Sequence, residues 1–163
     1  SDGLFMEAVE KVAKEFPDVE LESVIVDAMA ALLVRSPETF DVIVTTNMYG
    51  DILSDEASEL AGSLGLAPSL NAGDTIAMAQ AQHGSAPDIA GQDKANPTSL
   101  ILSMAMLLEW LGRRHDIAAL SGAASAVEKA VHDCLDDPTK HTLDLGGSLG
   151  TAAFGNAVVE KLA

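Results

Sequence analysis

The chain has 163 residues and carries 25 acidic against 9 basic side chains, a formal net charge of −16. A surface that negative repels phosphate backbones and argues against nucleic-acid partners. Apolar residues make up 48% of the chain, which argues against disorder and allows a domain-sized core. The longest apolar stretch, residues 99–111, is too short for a bilayer and is interrupted by Glu109, and no signal-peptide pattern follows Ser1-Asp2-Gly3.

Helical spacing of Leu4, Phe5, Ala8, Val9, Val12, Ala13 and Phe16 predicts a helix over 4–16, stopped by Pro17. Residues 19–23 are a short strand candidate. Residues 25–34 are apolar nearly all round and read as a buried helix ending before Pro37. A strand over 40–46 and a helix over 51–64 follow, then a Gly- and Pro-bearing loop over 65–73 and a strand over 75–81. Residues 83–97 form a long polar loop with Gly84, Pro87, Gly91 and Pro97.

Helices are predicted over 98–111 and 116–135, the second broken by Asp136-Asp137-Pro138. A Gly-rich turn over 143–150 leads to a closing helix over 151–162, capped by Thr151. Alternating strands and helices argue for an α/β protein, and the change of texture at 62–73 is the candidate domain boundary. Cys134, the one cysteine, excludes an intrachain disulfide and reads as a small buried hydrophobe, which fits a reducing cytoplasm. Met29, Met48, Met78, Met104 and Met106 read as core filler. For His115, His132 and His141 a structural or surface role outweighs catalysis.

Two stretches carry chemistry. In Asn47-Met48-Tyr49-Gly50-Asp51-Ile52-Leu53-Ser54-Asp55 two carboxylates lie four residues apart, so a helix puts both on one face, one turn apart. Such oxygen pairs suit Mg²⁺ or Mn²⁺, although acidic residues in a first helical turn also serve the helix dipole. The loop 83–97 offers small residues for close approach, the His83 imidazole, the Asp88 carboxylate and the Asn96 carboxamide, groups that an adenosine needs. The same Asp and Asn can equally serve turns. Neither G-x-G-x-x-G after a strand nor a P-loop occurs.

Together these stretches resemble the β-decarboxylating dehydrogenases, the family of isocitrate and 3-isopropylmalate dehydrogenases. Val26-Asp27-Ala28 and Asp144-Leu145-Gly146-Gly147 agree with the same pattern. The resemblance covers the whole chain, but it matches only the C-terminal half of a family member. It implies an isocitrate/isopropylmalate dehydrogenase-like fold, with residues 1–61 in the smaller, dimer-forming domain and residues 62–163 in the larger, cofactor-binding domain.

The resemblance further implies that Asp51 and Asp55 bind Mg²⁺ or Mn²⁺. Asp27 would be donated across a homodimer interface to the neighbouring subunit's metal. Leu64, Gly65 and Ser69 would contact the nicotinamide cofactor, and His83, Gly84, Ala86, Asp88 and Asn96 would form the adenosine pocket. An acid at Asp88 goes with NAD, because a carboxylate accepts the ribose hydroxyls and repels a 2′-phosphate.

The implied reaction is metal-dependent, NAD-linked oxidative decarboxylation of a 2-hydroxy acid carrying a 3-carboxylate. Ser1-Asp2-Gly3-Leu4-Phe5 favours an isocitrate-like substrate, with 3-isopropylmalate, homoisocitrate and tartrate as alternatives. The family's acid/base Lys and Tyr and its substrate-binding arginines fall upstream of this segment, so the segment alone is expected to be inactive. A non-catalytic regulatory subunit of such an enzyme is the other alternative. One departure concerns Ala79-Gln80-Ala81-Gln82, where the family usually places a Glu at the position of Gln80.

Overall fold

A computed structural model describes residues 2–162. They fall into two compact units, the first ending at Ala57 and the second beginning at Ser58.

The first unit opens with α1 (Asp2–Ala13), three residues shorter at its end than the periodicity predicts. Glu15 N and Phe16 N instead bond to Val12 O and Ala13 O, a tightened last turn ahead of Pro17. Then come α2 (Val26–Arg35), a 3₁₀ turn at Pro37–Thr39 and α3 (Asn47–Ala61), which runs on past Ala57. The small core of this unit is Met29 and Leu33, one turn apart on α2, with Leu53 of α3. Val24, Ala30 and Phe40 pack against it.

The strands predicted over 19–23 and 40–46 are not formed, and both segments are irregular. A strand exists only through a partner's hydrogen bonds, and among the described residues neither segment pairs. Val42 and Val44 accordingly stay 88% and 60% exposed. Helix α3 starts a turn earlier than expected, so Gly50 is a helical residue whose N–H bonds to Thr46 O at 2.8 Å. The helix stops at Gly62, whose φ of +131° suits only glycine.

In the second unit, β1 (Pro68–Ala72) forms a strand inside the segment expected to be a loop, and it pairs antiparallel with β2 (Ala77–Ala81). The register sets Leu70 opposite Ala79, and Gly73 N to Ile76 O closes the hairpin at 2.8 Å. Helix α4 (Thr98–His115) packs on both strands. Two serines one turn apart fix that contact. Ser99 Oγ donates to Ala67 O and accepts from Gln82 N, while Ser103 Oγ donates to Gln80 O and accepts from Ser69 N. Their small side chains let the helix come close and satisfy backbone groups at the hairpin's base.

Helix α5 (Ala118–Leu135) packs on α4, and α6 (Thr151–Leu162) packs on α5. Asp116, at φ +54°, turns the chain between α4 and α5, so α5 starts two residues later than predicted. A Cβ on Gly112 would meet Ser121 Oγ at 2.5 Å, so glycine sets the approach of α4 and α5. The core of this unit is Ala130, Val131, Cys134, Phe154, Ala157 and Val158. Burying Phe154 completely contributes roughly 1.5–3 kcal/mol. Cys134 is the buried hydrophobe its surroundings predict, and burial pushes its thiol pKa up.

Of the methionines expected in the core only Met29 is buried, whereas Met48, Met78 and Met104 are more than half exposed. Their intervals along each element place them on faces that no described residue covers. Among the described residues no helix is long and apolar enough to cross a membrane.

Candidate cofactor cleft and carboxylate pair

The loop 83–97 leaves β2 and returns to α4. It is held at several points. Gln92 Nε2 donates to Asp88 O at 2.7 Å, and Asn96 Oδ1 accepts from Thr98 N at 3.0 Å at the start of α4. Asp93 reaches α6, where its backbone O takes Thr151 N at 3.2 Å and its carboxylate takes Ala152 N at 2.8 Å. The cap expected of Thr151 is therefore supplied by Asp93, and Thr151 Oγ1 donates to Ala95 O instead.

Between this loop and residues 63–65 lies a cleft of about 460 Å³. Six of the eight sequence-predicted cofactor residues line it: Leu64, Gly65, His83, Gly84, Ala86 and Asn96. Ser69 and Asp88 do not. Ser69 is held in β1 by its bond to Ser103. Asp88 is exposed on a 3₁₀ turn, Pro87–Ile89, directly between the wall residues Ala86 and Ile89. Gly84 and Gly91 also line the cleft, and a Cβ at either would meet open space, not protein. That is the surface a flat ligand can approach closely. Lys94 is the one basic residue in the walls.

Four wall residues escaped the sequence reading: Ser63, Lys94, Asp144 and Thr151. Asp144 organises the back of the cleft. Its Oδ2 accepts from Ser63 Oγ at 2.5 Å and from Asn96 Nδ2 at 3.0 Å, and its Oδ1 accepts from Thr142 Oγ1 at 2.6 Å. Ser63 Oγ in turn accepts from Gly65 N at 3.0 Å. Gly65 O accepts from Ser99 N at 2.8 Å, and a Cβ on Gly65 would come within 2.7 Å of Asn96 Cβ. Desolvation works to raise the Asp144 pKa, but the donors Ser63, Thr142 and Asn96 outweigh it and hold the carboxyl below its ordinary value. The available signal was the spacing Thr142-Leu143-Asp144 ahead of Gly146-Gly147, a hydroxyl two residues before a carboxylate at a tight turn.

The first unit carries the carboxylates. Asp51 and Asp55 are both exposed and stand one turn apart on α3. Asp27, exposed in the first turn of α2, accepts from Ala28 N at 2.9 Å. Among the described residues no three His, Cys, Asp or Glu side chains converge on one point. The three predicted metal ligands therefore do not meet within a single copy of the chain. The exposed pair on α3 keeps the chemistry of a hard-cation site, with carboxylate oxygens spaced for two ligands.

The isocitrate/isopropylmalate dehydrogenase family model matches residues 1–158. The isocitrate/homoisocitrate dehydrogenase of Thermus thermophilus is 54% identical over 162 residues, 99% of this chain and 46% of that protein. The 3-isopropylmalate dehydrogenase of Hahella chejuensis is 52% identical over 98% of this chain and 44% of its own length. The solved isocitrate dehydrogenase of Methylococcus capsulatus superposes with a TM-score of 0.90 at 44% identity, covering 98% of this chain and 46% of that one. The chain belongs to the isocitrate/isopropylmalate dehydrogenase family, and it has the fold of part of such a subunit. It spans less than half the length of these relatives.

Proposed function

We propose that the full-length polypeptide carrying this chain is a dehydrogenase that oxidatively decarboxylates a 2-hydroxy-3-carboxy acid, using NAD and Mg²⁺ or Mn²⁺. The observation that carries the reading is the cleft of the second unit, where Leu64, Gly65, His83, Gly84, Ala86 and Asn96, predicted from sequence to hold a dinucleotide, line one cavity. When bound, NAD takes up hydride and the cation supplies Lewis-acid stabilisation of developing oxygen charge. The residues of this chain contribute binding. Gly84 and Gly91 admit close approach to the loop backbone. His83 offers a ring whose Nδ1 already lies 2.9 Å from Gly84 O, leaving Nε2 and the ring face for an adenine. Asp88, at the edge of the cleft, accepts ribose hydroxyls and disfavours a 2′-phosphate.

Asp51 and Asp55 hold the cation, and Asp27 completes the shell of a second subunit's site in a homodimer. That assignment agrees with the absence of a three-ligand group among the described residues of one copy. The lone buried Cys134 agrees with a reducing compartment such as the cytoplasm. An isocitrate-like substrate is favoured by the start of the chain. The 52% identity to a 3-isopropylmalate dehydrogenase supports the second reading, in which the substrate's side group is an alkyl chain.

The test is titration of Mn²⁺ and of NAD onto the full-length protein, onto Asp51→Asn and onto Asp88→Lys. Mn²⁺ affinity is expected to fall in the first variant and NAD affinity in the second. Unchanged binding in both would defeat the site assignment. A steady-state assay against isocitrate, homoisocitrate, 3-isopropylmalate and tartrate chooses the substrate.

A further inference from the structure

We propose that Asp144 is a positioning residue of the cleft: it joins the two opposite walls through one carboxylate and thereby sets dinucleotide affinity. The inference rests on the dinucleotide reading of the cleft given above.

The two walls come from distant parts of the chain. One is the turn 63–65 after α3, and the other is the end of the loop 83–97. Ser63 and Asn96 share a single acceptor atom, Asp144 Oδ2, at 2.5 and 3.0 Å. The other oxygen is held at 2.6 Å by Thr142 Oγ1, a side chain with no exposure to solvent. The carboxylate is thereby fixed at both ends, and it fixes what it touches.

Each wall residue passes the constraint on. Ser63 Oγ orients Gly65 N, and Asn96 Oδ1 takes Thr98 N at the start of α4. Gly65 packs against Asn96 so closely that a Cβ would overlap it, so the walls have one relative position. A ligand entering this cleft therefore meets donors and small residues already in place. It does not have to order them itself, and a preset site binds more tightly for that reason.

An ionised carboxylate is the group this arrangement requires. Three donors converge on it, and a carboxylate has only acceptor sites. An amide at the same place can satisfy Thr142 or the Ser63–Asn96 pair, but not both, because its NH₂ must face one set of donors. The position also differs from a residue that contacts the reacting atoms, since all of its recorded partners are side chains of the protein.

The experiment compares NAD binding by calorimetry, and NAD KM against kcat, in the full-length protein and its Asp144→Asn variant. The expected result is a rise of about tenfold or more in the NAD Kd and KM, the range for removing a charge-assisted hydrogen bond, with kcat and substrate KM nearly unchanged. Should Asp144→Asn fail to fold, Ser63→Ala gives the answer. It leaves the charge in place, unties one wall and should raise the NAD Kd severalfold. In the double variant Ser63→Ala/Asp144→Asn the two effects should fall short of their sum, because both act on one link. A folded Asp144→Asn protein that binds NAD like the wild type would overturn the inference and leave the dinucleotide reading intact. A wild-type protein that binds no NAD would overturn the dinucleotide reading, and this inference with it.

Discussion

The carboxylate of Asp93 caps the first turn of α6, accepting from Ala152 N at 2.8 Å across 59 residues of sequence. Asp93 does so from a left-handed backbone position, φ +53°, while its own carbonyl receives Thr151 N. Asn keeps an acceptor oxygen and tolerates that backbone. Asp93→Asn should therefore be nearly neutral. Asp93→Ala loses the cap and keeps the backbone strain, and should destabilise by about 1–2 kcal/mol. Asp93→Gly loses the cap but relieves the strain, and should fall between them. Urea unfolding of the full-length variants measures the order, and an Ala variant as stable as Asn would refute it.

The helices of this chain were legible because their signals are local. The apolar spacing of Ala8, Val12 and Ala13, the proline before Thr98 and the break at Pro138 each act within a few residues. The strands over 19–23 and 40–46 were not, because a strand depends on a partner that sequence pattern does not supply. For β1 the misleading signal was Pro68 and Asn71, which suggest a loop, whereas the backbone pairs through Leu70 opposite Ala79.

The candidate site divides in the same way. His83, Gly84, Ala86 and Asn96 belong to one contiguous loop and could be found together. Ser63 and Asp144 are 81 positions apart, and only folding brings Ser63 Oγ to the Asp144 carboxylate. The cap on α6 is a similar case, since Thr151 has the right residue type in the right place while the acceptor comes from Asp93.

Gly146 and Gly147 are adjacent but constrained by different physics. Gly146 has φ +78° with open space around a notional Cβ, so Gly146→Ala should lose only the backbone preference, about 1–2 kcal/mol. A Cβ on Gly147 would lie 2.0 Å from the backbone oxygen of His141, which itself accepts from Leu149 N. Gly147→Ala must displace main chain, and should destabilise by on the order of 3 kcal/mol or more. Thermal unfolding of the two variants tests the contrast. Equal losses would mean that the turn relaxes around the added methyl.

Acid should weaken the second unit partly through Asp144. Its carboxyl pKa in the folded chain lies below the ordinary value of 3.8. Below the unfolded pKa the unfolded chain takes up a proton more readily than the folded one, so protonation favours unfolding. The stabilisation is present above about pH 4 and is lost as pH falls through the lower folded value. Unfolding midpoints between pH 7 and pH 3 should drop less in Asp144→Asn than in the wild type. Parallel pH profiles would show that the carboxylate is not preferentially ionised in the folded state.

Asp88 offers a direct check on the choice between NAD and NADP. It is exposed, it stands between the wall residues Ala86 and Ile89, and the nearest basic residue in the walls is Lys94, six positions on. Against a ribose 2′-phosphate the carboxylate is repulsive, and against free ribose hydroxyls it is an acceptor. Asp88→Lys reverses both terms. If each contributes about 1–2 kcal/mol at this exposed position, the ratio of kcat/KM for NAD over NADP should fall by roughly 30- to 1,000-fold. Asp88→Asn removes the repulsion without adding a cation, and should give an intermediate ratio. Because Asp88 touches neither Asp144 nor Asn96 through a recorded hydrogen bond, the unfolding midpoint of the Lys variant should stay within about 0.5 kcal/mol of wild type. A ratio unchanged in the Lys variant would place the 2′ position of the ribose away from this turn.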